Sequence, residues 1–209
     1  KWTQEAKTLV WFADSTQAIA AIALTDEIKQ TSAQAISQLQ EMGVEVHMLT
    51  GDNAISAQAI SRKVGINHYK AGVLPNEKAQ FIKELQANGK KVGMVGDGIN
   101  DSAALAQANL SIAMGQGSDI AVDTAMATIL SSDLLKIPET IRLSQLTIKT
   151  IYQNLFWAFI YNLIGIPIAA GIFYSVNGFL LNPMWASAAM AFSSVSVVLN
   201  SLRLKRKRI

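Results

Sequence analysis

No cysteine occurs in the 209 residues. Neither a disulfide nor a thiolate metal site can form within this chain, and it carries no mark of its redox compartment. Charge is missing from one long stretch: no Asp, Glu, Lys, Arg or His lies between Lys149 and Arg203. That run is too long for one core helix and is broken only by turn residues. About 20 apolar residues span a bilayer, so the run reads as membrane-spanning rather than as the core of a large soluble domain. Residues 151–209 hold 5 Lys/Arg and no acid, whereas residues 1–150 hold 13 Lys/Arg against 15 Asp/Glu. The formal net charge of +3 therefore comes from the tail. A nucleic-acid surface needs an excess of base on the folded part; the first 150 residues offer none, so no nucleic-acid partner is expected. A signal peptide is lacking as well. Lys1-Trp2-Thr3 opens in mid-pattern without an initiator Met, as expected of a chain truncated at its start.

What is present is a regular alternation. Residues 8–12 and 18–24 read as strands around a polar turn at Asp14-Ser15. Ala35, Ile36, Leu39 and Met42 recur at helical spacing over residues 31–42, and Gly43 ends that helix. Residues 44–49 read as a strand. Residues 54–64 form a helix stopped by Gly65, and 77–86 a helix between Pro75 and Gly89. A strand at 91–95 leads through the glycine-rich turn at 96–98 into a helix over 100–107. A strand at 110–113, the Gly115-Gln116-Gly117 loop, a short helix at 118–124 and a strand at 128–130 complete the pattern. Such alternation predicts the α/β class, with a parallel sheet covered on both faces and ligands at the carboxyl ends of its strands. Thr50-Gly51-Asp52 and Gly96-Asp97 each follow an apolar strand directly, so both fall on that edge. Residues 1–24 lie outside the repeat and read as the end of another domain. An amphipathic helix over 134–151 leads into spans at about 154–176 and 184–202, joined by turn signals at Asn177-Gly178 and Asn182-Pro183. The basic end, Arg203 to Arg208, reads as a positive-inside anchor. It places the C-terminus, Lys149 and the soluble part on the cytoplasmic side.

Two clusters carry chemistry in the soluble part. Gly96-Asp97-Gly98-Ile99-Asn100-Asp101 stands at a strand-to-helix turn, where glycines permit a tight bend and leave room for a ligand. Two carboxylates four residues apart, with an amide between, supply the hard oxygen donors that Mg²⁺ requires. There Mg²⁺ would neutralise a phosphoryl group in transfer. The plain alternative is an Asp-rich turn with a helix cap. Thr50-Gly51-Asp52 offers a hydroxyl and N–H groups for phosphate oxygens; alternatively Asp52 or Asn53 merely caps the helix from Ala54. Lys78 lies near a helix start, where the dipole disfavours a cation. It either faces a phosphate or is solvated. In the uncharged run, Tyr161-Asn162 sits near the middle of the first span, and Pro167 frees the carbonyl of Leu163. Met190 and Ser194 share a face of the second span, with Ser193 beside them. A thioether suits Cu(I) rather than Mg²⁺, Ca²⁺ or Zn²⁺. The same side chains equally pack or hydrogen-bond between helices.

Taken in order, Thr50-Gly51-Asp52, Pro75-Asn76-Glu77-Lys78 and the 96–101 hexapeptide resemble the motifs of the haloacid-dehalogenase superfamily, and within it the phosphorylation domain of P-type ATPases. The resemblance covers essentially the whole chain. It implies a haloacid-dehalogenase-like Rossmannoid parallel sheet over residues 25–133, with residues 1–24 as the end of a nucleotide-binding domain. It also implies a linker helix and a two-helix transmembrane hairpin over 134–209. Thr50 and Lys78 would contact the phosphoryl group beside Gly51 and Asp52, Asp97 would ligate Mg²⁺, and Asn100 and Asp101 would complete the site. Asp26 is similar to the family's hinge aspartate, with Glu27 where proline is usual. The family's nucleophilic aspartate lies in an Asp-Lys-Thr-Gly-Thr motif that does not occur here. It is expected upstream, and without it no aspartyl phosphate forms, so the chain alone is expected to turn over no ATP.

Tyr161-Asn162 and Met190-x-x-Ser193-Ser194 resemble the paired membrane signatures of copper-exporting heavy-metal P-type ATPases. That resemblance implies a transport site at Tyr161, Asn162, Met190 and Ser194 for Cu(I) or Ag(I), with a Cys-Pro-Cys motif on an earlier helix. The intramembrane acids of the zinc, calcium and sodium/potassium pumps are absent. ATP would bind mostly outside this chain. The implied partners are the lipid bilayer, the upstream remainder of the same ATPase and a copper chaperone; the implied location is the plasma (inner) membrane. Two rival readings are a membrane-anchored haloacid-dehalogenase-type phosphatase and a non-catalytic membrane module.

Overall fold

The computed structural model describes residues 8–24, 28–97, 99–115, 123–174, 178 and 182–205. Contacts divide the chain into two compact units, residues 1–138 and 139–209. Asp26, Gly98, Gln116-Gly117, most of the helix expected at 118–124 and the end of the basic tail lie outside the described residues.

The first unit opens with an antiparallel hairpin of β1 (Thr8–Ala13) and β2 (Ala18–Leu24). Asp14 closes its turn by accepting from the N–H groups of Thr16 and Gln17 at 2.7 and 2.8 Å, the local bonding that suits Asp to turns. The alternating part runs α1 (Gln30–Glu41), β3 (His47–Leu49), α2 (Ala54–Val64), β4 (His68–Lys70), α3 (Pro75–Ala87), β5 (Gly93–Gly96), α4 (Ser102–Gln107), β6 (Leu110–Met114) and β7 (Ala127–Ile129). A 3₁₀ turn, Ile99–Asp101, precedes α4. All strand pairs in this part are parallel, as the alternation requires.

The parallel sheet expected from the pattern forms in two parts. β3 pairs with β4, and β5, β6 and β7 form a separate three-stranded sheet. β3 also starts later than its hydrophobic run suggests. The Val44 N–H donates to Leu39 O at 3.0 Å, across Gly43 at φ +77°. Val44 is thereby used to close the C-terminus of α1 rather than to begin a strand. β4 has no counterpart in the sequence reading: His-Tyr-Lys is short, exposed and without alternation. The open alternative at the start of α2 resolves onto Asn53, whose side chain accepts from Ser56 N–H at 2.9 Å. Asp52 is left for other work.

Packing sets the position of the turn after β5. Ile82 of α3 meets Ala104 and Ala108, with Val92 and Met94 against them; Leu105 and Ala113 form a second cluster. Small alanines on α4 let the helix lie close to α3. The pair is locked by Gln86, which donates to Gln107 O at 2.9 Å, and Gln107, whose amide returns a bond to Gln86 Oε1 at 2.7 Å.

Glu45 gathers charge at the other end of β3 and β4. It accepts from Lys90, and its Oε1 lies 2.9 Å from His47 Nε2 and 3.8 Å from His68 Nε2. The Lys90 hydrogen bond, and after it that of His47, holds the Glu45 carboxyl below its ordinary value of 4.5. A depressed carboxyl stabilises the fold above the unfolded pKa and loses that contribution as pH falls through the folded value. Lys90→Met should therefore lower the melting temperature at pH 6 and narrow its gap to wild type below about pH 4. A gap that stays constant across a pH series of thermal melts would refute the pairing's role.

The second unit holds most of α5 (Lys136–Ala169) and all of α6 (Pro183–Lys205). The helix expected over 154–176 is part of α5 and stops at Ala169. Pro167 lies inside it, and the chain then turns at Gly171, φ +82°. Proline removes a helix donor, and a left-handed glycine ends the helical path. Among the described residues, no helix is long and apolar enough to cross a membrane. Leu155, Phe156, Phe159, Leu163, Ile164 and Ile166 of α5 are nonetheless exposed.

Candidate active site

The residues after β5 build the site. Gly96 ends the strand, and the 3₁₀ turn folds Asp101 back beneath it. A Cβ on Gly96 would lie 2.7 Å from Asp101 Oδ2 and 2.8 Å from Asp101 Cβ. Only a residue without a side chain fits there. Asp101 is 9% exposed, and its Oδ1 accepts from Lys78 Nζ at 2.7 Å. Both side chains are largely shielded, at 15% and 12% exposure for Lys78 and Asp101. Lys78 therefore has its helix-start position for an electrostatic reason: it answers a carboxylate 23 residues away. This ion pair also ties the half containing β4 to the half containing β5.

Asp97 stands exposed at the carboxyl end of β5. Among the described residues it makes no hydrogen bond or ion pair. It lines an open cleft of about 420 Å³ with Lys29, Gly96, Asp101, Gly115 and Ser132. The structure thus puts Asp97 and Asp101 on one cleft, with Lys78 bonded to Asp101. It keeps Thr50-Gly51-Asp52 off the walls of that cleft, as it does Asn100, which is exposed on the 3₁₀ turn. Thr50 and Asp52 bond to each other instead: the Thr50 hydroxyl donates to Asp52 Oδ2 at 2.9 Å. The segment itself is firmly placed. Gly72 N–H donates to Asp52 O at 2.8 Å, and Val73 N–H to Thr50 O at 3.0 Å.

Lys29 is a cleft residue that the sequence reading missed. Its Nζ donates to Ser132 O at 2.7 Å, 103 residues along the chain. The neighbouring Asp133 carboxyl is held below its ordinary 3.8, first by the Thr31 hydrogen bond and then by the Leu135 N–H. A lone lysine before a helix carries no local sign of such a partner.

The membrane-type residues are not assembled in the same sense. Asn162 donates to Ala158 O at 3.1 Å and Ser194 to Met190 O at 3.3 Å, each within its own helix. Met190 is exposed, and Tyr161 lies against Trp157 at 6.4 Å between ring centroids. Among the described residues no hydrogen bond joins Tyr161 or Asn162 to Met190 or Ser194.

In a parallel α/β unit, ligands sit at the carboxyl ends of the strands, and the carboxylates of Asp97 and Asp101 stand at such an end. The chain belongs to the haloacid-dehalogenase-like hydrolase family, whose model matches residues 1–109. More particularly, it is 56% identical over 208 residues to a probable copper-importing P-type ATPase A of Enterococcus hirae, covering 99% of this chain and 28% of that protein. It is 47% identical over 205 residues to a silver exporting P-type ATPase of Salmonella typhimurium, covering 98% of this chain and 25% of that protein. The crystal structure of a zinc-transporting PIB-type ATPase in the E2.Pi state superposes with a TM-score of 0.80 at 33% identity, over 97% of this chain and 32% of that one. The chain thus spans about a quarter of the length of the curated relatives it matches.

Proposed function

We propose that this chain is the C-terminal part of an ATP-driven P-type transporter that exports a soft monovalent cation, Cu(I) or Ag(I). The observation that carries this reading is the cleft lined by Asp97 and Asp101 at a strand end, with Lys78 bonded to Asp101 behind it. Similarity to copper and silver transporters over nearly the whole chain supports the cargo. The same similarity runs through residues 139–209 and disfavours a free-standing phosphatase. The outward direction rests on the membrane signatures alone, since one relative is named an importer and another an exporter.

The catalytic half is incomplete in a specific way. Among the described residues, β3 and β5 each have a strand partner on one side only. Thr50 follows the first and Asp97 the second. An upstream strand bearing the nucleophilic aspartate, paired between those edges, would present it to both. Thr50 and the Gly51 backbone would then hold phosphate oxygens, with Asn100 beside them. Lys78 would hold the Asp101 carboxylate in place. Mg²⁺ fits the donor set: it is commonly held by one or two carboxylates and completes its shell with water and phosphate oxygen. Asp97 is exposed to the cleft and Asp101 lies beside it, so these two would hold the ion, which neutralises charge on the transferring group.

In residues 139–209 the exposed aliphatic and aromatic side chains of α5 suit a lipid environment better than water. Tyr161, Asn162, Met190 and Ser194 would supply the ion's ligands, soft sulfur favouring Cu(I) and Ag(I) over Zn²⁺. The soluble unit and the basic end would face the cytoplasm at the plasma (inner) membrane.

In the full-length transporter, Met190→Ala should lower copper-stimulated ATP hydrolysis at least tenfold, while phosphoenzyme formed from inorganic phosphate and Mg²⁺ persists. The isolated chain should show no Mg²⁺-dependent ATP hydrolysis. Undiminished copper stimulation in the variant would remove the ion site. Turnover by the isolated chain, lost in Asp97→Ala, would remove the missing-nucleophile reading.

A further inference from the structure

The segment between β7 and α5 takes no part in the strand ladders among the described residues, yet it walls the cleft. Ser132 and Leu134 line it together with Asp97 and Asp101. With no ladder to hold it, the segment depends on individual bonds for its position. One tie comes from the end of β6: Gly115 N–H donates to Ile129 O at 2.9 Å and to Ser131 O at 3.2 Å. Inside the segment, Asp133 N–H donates to Ser131 Oγ at 3.1 Å.

The other ties come from the start of α1. Lys29 stands immediately before that helix, and its Nζ donates to Ser132 O at 2.7 Å. Two positions on, the Thr31 hydroxyl donates to the Asp133 carboxylate. Each side supplies what the other lacks. α1 has no side-chain cap and no acid in its first turn, so its N-terminal dipole has no local anion. Asp133 brings one, through Thr31. The same carboxylate accepts from Leu135 N–H at 3.1 Å, just ahead of α5. One aspartate thus serves the starts of two helices, where negative charge is favoured. Lys29 in turn gives the Ser132 carbonyl its donor. None of the three residues lies in the strand-end clusters at 50–52 and 96–101.

We propose that Lys29, Thr31 and Asp133 are positioning residues: a reciprocal brace between the starts of α1 and α5 that fixes the Ser132–Leu134 wall of the cleft shared with Asp97 and Asp101. This inference rests on the reading of that cleft as a phosphoryl site. A reacting constellation tolerates little misplacement, and a wall that drifts by about 1 Å loosens the space that receives phosphate. The brace shapes the cleft without supplying its carboxylates. Its loss therefore falls on the phosphate concentration that is needed, and not on how much protein can be phosphorylated.

The test uses the full-length transporter, phosphorylated from inorganic phosphate and Mg²⁺. Lys29→Met and Thr31→Val should each raise the phosphate concentration for half-maximal phosphoenzyme by roughly fivefold, the scale of one hydrogen bond. The maximal level should not move. Lys29→Arg keeps the charge and a donor and should stay near wild type. Thr31→Val changes no charge, so it separates the brace from a bare electrostatic effect of Lys29. A shift in Lys29→Met with none in Thr31→Val would overturn the brace. Wild-type phosphate dependence in both, with phosphoenzyme lost in Asp97→Ala, would overturn the brace and leave the cleft reading standing. Phosphoenzyme retained in Asp97→Ala would overturn the cleft reading and the brace with it. A lower maximal level in all three brace variants, Lys29→Arg included, at an unchanged half-saturating phosphate concentration would mark a general folding role and also overturn the proposal.

Discussion

Gly96→Ala is expected to cut phosphoenzyme formation in the full-length transporter by roughly 100-fold, the cost of misplacing a reacting constellation by about 1 Å. The reason is geometric. The new methyl would lie 2.8 Å from Asp101 Cβ, whereas ordinary carbon contacts need about 3.5–4.0 Å. Asp101 cannot swing aside cheaply, since it is buried and bonded to Lys78. Either the 3₁₀ turn lifts from β5 or the carboxylate leaves its lysine. Overpacking of this kind costs about 2 kcal/mol, which for a chain of this size lowers the melting temperature by about 5 °C. Radiolabelled phosphoenzyme and a thermal melt measure the two effects. Wild-type phosphoenzyme with an unmoved melt would mean that the turn has slack which the geometry denies.

Lys78→Met should be nearly as damaging, and for a separable reason. It leaves the shielded Asp101 carboxylate without its cation, a loss of about 2 kcal/mol once partial exposure is allowed for. On the proposed reading it also removes a positive charge beside the transferring phosphoryl group, which should slow phosphorylation by roughly 100-fold. The double variant Lys78→Met with Asp101→Asn distinguishes the two. Neutralising the abandoned carboxylate should recover most of the stability and none of the activity. If the double variant remains as unstable as Lys78→Met, the ion pair is not what holds the turn. If it regains phosphorylation, Lys78 acts only as a structural partner.

These expectations depend on features of unequal legibility. The α/β alternation was readable because helices and strands leave a period in the apolar positions. α2 ended at Gly65 as its sequence indicates, with the glycine left-handed at φ +77°. The carboxylates at 97 and 101 were legible as a strand-end pair because a strand, glycine and a helix stood around them. β4 was illegible: three exposed residues have no period. The start of β3 was misplaced because Val44 looks like a strand residue, while its N–H is used to finish α1. The uncharged run was plain in composition, yet α5 stops at Ala169, where Pro167 and Gly171 override apolarity.

The sequence by itself determined most of the strand–helix order, the presence of hard oxygen donors after β5 and of a thioether in the uncharged run, and the absence of a nucleophile motif. Each of these is a property of residue type and local spacing. The tertiary structure alone decided that Lys78 answers Asp101, that Gly96 is pinned by that carboxylate, that the strands divide into two parallel sheets, and that Lys29 meets Ser132. Those contacts join residues five to 103 positions apart, with no repeat between them. A bond formed by folding the chain back on itself leaves no periodic trace in the sequence, so only the folded arrangement supplies it.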